Sequence, residues 1–228
     1  MGYWLKVNRY NASVALAAAL VIGSAIGNQA VAASGEAAPT GDPVKGESLS
    51  KTCEACHGAQ GNSAAPNFPK LAGQVDKYTF KQLMDMKSGA RPVPEMTAFV
   101  ANMSEQDMRD LGAYYAAQTT TLSPVPADLF EQGKALYSAG DREAGIPACA
   151  ACHGAQGKGV QSAGFPALSG QHAMYTAAQL KAYRAAGRDD ESGKRRENDG
   201  DTKIMRTIAG KMSDEQIKAV SAYVSGLH

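Results

Sequence analysis

Two blocks, Cys53-Glu54-Ala55-Cys56-His57 and Cys149-Ala150-Ala151-Cys152-His153, use every cysteine in the chain. They constrain the fold more than any other feature, because no cysteine is left for a disulfide staple. In an exported chain an even cysteine count ordinarily suggests disulfides. A two-residue gap with histidine always next reads instead as c-type haem attachment. On a helix the two thiols can each form a thioether with a haem vinyl group, and the adjacent imidazole reaches the iron. A thioredoxin-like dithiol or a zinc site needs no histidine after both pairs, and no βαβ pattern surrounds either one. The cofactors expected are therefore two covalently bound c-type haems, attached at Cys53, Cys56, Cys149 and Cys152, with His57 and His153 on the irons.

The chain repeats itself around these blocks. Cys-x-x-Cys-His-Gly-Ala-Gln-Gly at 53–61 returns at 149–157, Phe68-Pro69-Lys70-Leu71-Ala72-Gly73-Gln74 returns as Phe165-Pro166-Ala167-Leu168-Ser169-Gly170-Gln171, and Met103-Ser104 returns as Met212-Ser213. The offset grows from 96 to 97 to 109 residues, so the largest insertion falls around 188–200. Each repeat predicts an opening helix (43–56 and 128–138), a middle helix (75–88 and 172–186) and a final helix starting at an N-cap serine, Ser104 or Ser213. The final helices carry apolar stripes, Met108, Leu111, Tyr115 and Ile217, Val220, Val224. Gly46 and Gly133, with Tyr114 and Tyr223, mark where first and last helices should cross. Strand-like alternation is essentially absent. The fold expected is all-α, two tandem haem domains related by duplication, spanning 34–118 and 128–228. The aperiodic, proline-bearing stretch 119–127 is the linker.

Lys6 and Arg9 precede an apolar run at 14–26 that ends in small residues at Ala30-Val31-Ala32-Ala33, the layout of a secretory signal cleaved near Ala32 or Ala33. The run is short for a membrane span, although retention as an anchor, or a loose membrane association, stays open. Without that leader 21 basic residues face 22 acidic ones. So neutral a chain makes nucleic acid an unsuitable partner.

A sixth iron ligand should recur in both repeats. His172 matches Val75 and starts a helix, which suits a capping or surface role, and His228 is terminal. Met84, Met86, Met174 and Met108 have no methionine partner in the other repeat. Met103 and Met212 precede N-cap serines, where an apolar residue staples onto Met108 or Ile217. Met96 and Met205 remain, in aperiodic lead-ins without a comparable packing reason, and are the expected sixth ligands. The carbonyls of Pro69 and Pro166, 12 and 13 residues past the histidines, are candidate acceptors for the second imidazole nitrogen. The plainer reading is that these prolines only turn the chain.

Together with Glu95-Met96-Thr97, Gly170-Gln171-His172-Ala173 and Asn198-Asp199-Gly200-Asp201-Thr202-Lys203-Ile204-Met205, these blocks resemble the cytochrome c4 family over essentially all the mature chain. The resemblance implies an all-α fold of two tandem class I cytochrome c-like haem domains, His/Met ligation at both irons, His57 with Met96 and His153 with Met205, and domains packed about a pseudo-twofold axis. It implies a periplasmic electron carrier, not an enzyme. Redox proteins would be its partners, a quinol–cytochrome c oxidoreductase as donor and a terminal oxidase as acceptor. A dihaem peroxidase or thiosulfate-oxidising enzyme would need an exchangeable iron position, which a methionine ligand closes. The charged stretch 188–197 departs from the family and reads as a solvated loop, with partner docking as the alternative.

Overall fold

The computed structural model describes residues 40–228, so the expected leader 1–33 and its cleavage near Ala32 or Ala33 lie outside the described residues. Helix α1 (Pro43–Ser50) starts where Asp42 Oδ1 accepts from Val44 N at 2.9 Å and Lys45 N at 3.3 Å, with proline in the first turn. It does not run on to Cys56 as the pattern suggested. Ser50 Oγ donates to Glu47 O at 2.8 Å and Thr52 Oγ1 donates to Leu49 O at 3.2 Å. Hydroxyls that take helix carbonyls in this way compete with continued winding. The chain turns and restarts as α2 (Glu54–His57), followed by α3 (Asp76–Ser88), α4 (Pro94–Val100) and α5 (Glu105–Ala116).

The second repeat follows the same order: α6 (Ala127–Ala139), α7 (Ala150–His153), α8 (Ala173–Gly187), α9 (Ile204–Ala209) and α10 (Asp214–Ser225). Among the described residues there is no strand, only isolated bridges pairing Asp141 with Ile146 and Val160 with Phe165. Both final helices open on complete capping boxes. Ser104 Oγ accepts from Asp107 N while Ser104 N donates to Asp107 Oδ2, and Ser213 and Gln216 repeat the arrangement.

First and last helices cross at the expected glycines. A Cβ at Gly46 would lie 2.0 Å from Asp110 O and 2.7 Å from Tyr114 Cβ, and one at Gly133 would lie 2.4 Å from Ala219 O and 2.6 Å from Tyr223 Cβ. Each repeat then closes its own core. Leu83, Val100, Met108, Leu111, Tyr114 and Tyr115 form the first. Tyr137, Met212, Ile217, Val220 and Val224 lead the second. Full burial of such side chains stabilises by about 1.5–3 kcal/mol each, before the entropy of ordering them.

The repeats pack on each other with reciprocal contacts, residue i of one on residue j of the other and the reverse, as a pseudo-twofold axis requires. Arg91 donates to Gln82 in its own repeat and to Tyr175 Oη and Gln179 Oε1 across the boundary, at 2.9 and 3.2 Å. Arg196 donates to Gln179 in its own repeat and to Tyr78 Oη and Gln82 Oε1 across it, both at 2.9 Å. The charged stretch is thus only partly the solvated loop expected. Residues 188–194 are exposed, but Arg196 and Asn198 are buried against the first repeat, where Asn198 meets Gln82 and Asp85. His172 departs from expectation too. It holds the N-cap position of α8 without a capping bond, and its Nε2 donates to Ser63 O at 3.0 Å across the boundary. The segment between α5 and α6 is pinned to both repeats: Thr121 N donates to Asn62 Oδ1, and Ser123 N donates to Ser225 O.

Candidate functional site

Each attachment motif occupies one short helix with matching geometry. His57 N donates to Cys53 O and His153 N to Cys149 O, both at 2.9 Å, and Gly58 or Gly154 ends the turn with φ of +75° or +81°. The second glycine of the shared block explains why the motif extends beyond the histidine. Gly61 O accepts from Leu71 N and Ala72 N, and Gly157 O accepts from Leu168 N and Ser169 N. A Cβ at Gly61 would meet Ala72 N and the Tyr115 ring at 2.8 Å, and one at Gly157 would meet Leu227 at the same distance. These bonds hold the proline loop against the motif.

The proline carbonyls sit where the imidazoles need them. His57 Nδ1 is 2.8 Å from Pro69 O, and His153 Nδ1 is 2.9 Å from Pro166 O. A carbonyl oxygen can only accept, so Nδ1 carries the proton and Nε2 keeps its lone pair for a metal. The prolines therefore do more than turn the chain. Burial lowers the pKa of both histidines, favouring the neutral form that ligates.

The methionines need one correction. Met96 and Met205 do not lie in irregular lead-ins but within α4 and α9. Both are half-buried and touch the core of their own repeat, so packing is not absent at either. Met103 and Met212 sit in the clusters that hold Met108 and Ile217, as a staple requires. His228 is exposed, with Nδ1 3.0 Å from Gly226 O.

Several features fit haem. All four cysteines are free thiols, and each pair precedes an imidazole with one nitrogen uncommitted among the described residues. Arg91 and Arg196 are 8 % and 6 % exposed, yet among the described residues neither has a carboxylate within 4.0 Å. Buried cations call for an anion, and haem brings two carboxylates. Sequence reasoning missed this pair and the glutamines facing it. The signal was present in the equivalent positions of Tyr78 and Tyr175 and of Gln82 and Gln179, each 97 residues apart.

A family profile described as cytochrome c matches residues 43–117 and 130–228. A cytochrome c4 of Pseudomonas aeruginosa is 47% identical over 194 residues, covering 85% of this chain and 92% of the relative. A thiosulfate dehydrogenase electron acceptor of Stutzerimonas stutzeri is 38% identical over 186 residues, covering 77% of this chain and 78% of its own length. The crystal structure of reduced recombinant cytochrome c4 from Pseudomonas stutzeri superposes with a TM-score of 0.77 at 44% identity, covering 83% of this chain and 100% of that one. With two matched segments, each bearing a complete attachment motif, the chain belongs to the cytochrome c4 family and is a dihaem electron-transfer cytochrome with both c-type haems covalently bound.

Proposed function

We propose that the protein is a periplasmic carrier that takes single electrons from a quinol-oxidising complex and gives them to a terminal oxidase, with no enzymatic reaction of its own. Residues 34–118 and 128–228 form its two haem domains, joined by 119–127, and the leader directs export. No helix among the described residues is long and apolar enough to cross a membrane. Cys53 with Cys56 and Cys149 with Cys152 would hold the haems, and His57 with Met96 and His153 with Met205 would ligate the irons. When bound, haem supplies a one-electron ferric/ferrous couple. The protein's part is to fix each imidazole through Pro69 or Pro166, and a methionine from a short helix would be each iron's second protein ligand. Arg91 and Arg196 supply buried positive charge for the haem carboxylates.

The observation that carries this reading is the matched pair of histidines, each with Nδ1 committed to a proline carbonyl and Nε2 without a hydrogen-bond partner among the described residues. A methionine sixth ligand raises the potential and closes the iron to substrates. Carbon monoxide binding tests it. An incoming ligand must first displace a methionine held by its own fold, so the open form is a minor population. The reduced protein should bind carbon monoxide poorly at neutral pH while exchanging electrons rapidly with a partner oxidase. Fast stoichiometric binding at one haem would overturn the carrier reading in favour of a dihaem enzyme.

A second reading keeps the carrier and changes the donor. It is favoured by the 38% identity to a thiosulfate dehydrogenase electron acceptor. Reduction by a thiosulfate-oxidising enzyme, compared with reduction by a quinol-oxidising complex, separates the two.

A further inference from the structure

The glutamines at the end of the duplicated Phe-Pro-x-Leu-x-Gly-Gln block, Gln74 and Gln171, each reach across the boundary between the repeats. Gln74 Oε1 accepts from Ala167 N at 2.8 Å while Gln74 Nε2 donates to Ala167 O at 3.0 Å. Gln171 Oε1 accepts from Lys70 N and Gln171 Nε2 donates to Lys70 O, both at 2.9 Å. The reciprocal bonds fix the orientation of each amide, since a flipped side chain would set donor against donor. Each Oε1 also accepts from the N–H of the next residue in its own chain, Val75 at 2.9 Å and His172 at 3.1 Å. The clamp is therefore held in place from its own side.

The clamped N–H groups are not arbitrary. Ala167 N–H shares one peptide unit with Pro166 C=O, the acceptor of His153 Nδ1–H, and Lys70 N–H shares one with Pro69 C=O, the acceptor of His57 Nδ1–H. We infer that Gln74 tunes the reduction potential of the C-terminal haem and Gln171 that of the N-terminal haem, each through one peptide unit and one imidazole of the other repeat.

The direction follows from hydrogen-bond polarisation. A peptide whose N–H is donated to an amide oxygen carries more negative charge on its carbonyl, so it accepts more strongly at that end. A stronger acceptor at Nδ1–H makes the imidazole a better electron donor, and a more donating axial ligand favours ferric iron. Each glutamine thus lowers the potential of the haem in the opposite repeat. With Gln74 and Gln171 equivalent, the same device works in both directions. Loosening of the boundary, as when a partner docks, would then raise both potentials together. Gln74 and Gln171 are positioning residues, and the inference rests on His57 and His153 as axial ligands.

The test uses the intact dihaem protein carrying Gln74→Leu or Gln171→Leu, with Gln74→Glu and Gln171→Glu as variants that keep an accepting oxygen. The two midpoint potentials come from spectroelectrochemistry. The Nδ1–H resonances of His57 and His153, in protein labelled with 15N at histidine, report each imidazole bond separately. One cooperative link of about 10–30% in a bond worth more to ferric than to ferrous iron sets the expected change at about threefold in the reduction equilibrium. That converts to about 30 mV at roughly 59 mV per decade for one electron. Gln74→Leu should raise the C-terminal haem potential and move the His153 signal, leaving His57 and the N-terminal haem in place, and Gln171→Leu should do the reverse. The glutamate variants should leave the opposite potential at or below its original value. Unchanged potentials and signals, a shift confined to the variant's own repeat, or equal shifts of both haems in every variant would overturn the inference. Absence of histidine-ligated haem in the unaltered protein would overturn the ligand assignment itself, a separate failure visible before any substitution.

Discussion

Alanine at Gly46 tests the helix crossing on which each haem domain is built. In an ordinary helix interior the change from glycine stabilises by about 1 kcal/mol, so the sign of the effect is diagnostic. Here a Cβ would stand 2.0 Å from Asp110 O, and real Cβ atoms essentially never approach within 3.0 Å, so α1 and α5 must part by about 1 Å. Backbone is in the way, and no side chain can rotate clear. Overpacking of this kind costs about 1–3 kcal/mol. A cost near the top of that range lowers the guanidinium midpoint of the N-terminal domain by about 1 M, at a slope of about 3 kcal/mol per M. Gly133→Ala should act on the C-terminal domain and cost less, because its Cβ starts at 2.4 Å from Ala219 O and needs about 0.6 Å of relief. Gly193→Ala, where nothing lies within 4 Å, is the control. Unfolding followed by far-ultraviolet circular dichroism and by haem absorption reads all three. A Gly46→Ala protein as stable as the original, or more so, would refute the close crossing.

Two further predictions concern the capping box and the boundary between repeats. Hydrogen bonds from the Ser104 hydroxyl and backbone N–H hold the Asp107 carboxyl below its usual range. A depressed folded pKa contributes stability that is present above the unfolded value, about 3.9, and lost as pH falls through the folded value. Asp107→Asn should therefore flatten the acid dependence of N-terminal domain unfolding in that window, and an unchanged acid profile would count against the box. Arg196→Leu removes the bonds to Tyr78 and Gln82 across the boundary, and losing about 1.5 kcal/mol or more of charged hydrogen bonding should raise opening at least about tenfold. Faster proteolytic cleavage within 119–126 would show this, and an unchanged rate would refute the clasp.

Much of this architecture is legible in the sequence. The duplicated blocks located both haem motifs, both proline loops and both N-cap serines, because caps and tight turns are specified by the residues that make them. Gly46 and Gly133 revealed the crossing for a similar reason, since only a missing side chain admits a backbone so close. The misses have physical causes as well. Met96 and Met205 looked irregular because helices of 7 and 6 residues are too short for periodicity to register. The break after Ser50 depends on hydroxyls turning back onto carbonyls, which spacing does not encode. His172, Arg196 and the two clamping glutamines owe their roles to the opposite repeat. A pattern along the chain reports the element a residue belongs to and is silent about what it meets across a pseudo-twofold axis. The doubled Gln74 and Gln171 were visible as a repeat, but only the folded arrangement ties them to the proline peptides.

The central claim, two six-coordinate irons each closed by a methionine, is tested most directly by the weak far-red absorption band of methionine-ligated ferric haem. Met96→Ala and Met205→Ala should each remove about half of this band, on the one-ligand-per-iron reasoning. Met103→Ala and Met212→Ala should leave it intact, and Met212→Ala, at a site 2 % exposed, should lower stability by about 2–5 kcal/mol. Full retention of the band in Met96→Ala or Met205→Ala, or its loss in Met103→Ala or Met212→Ala, would contradict the account.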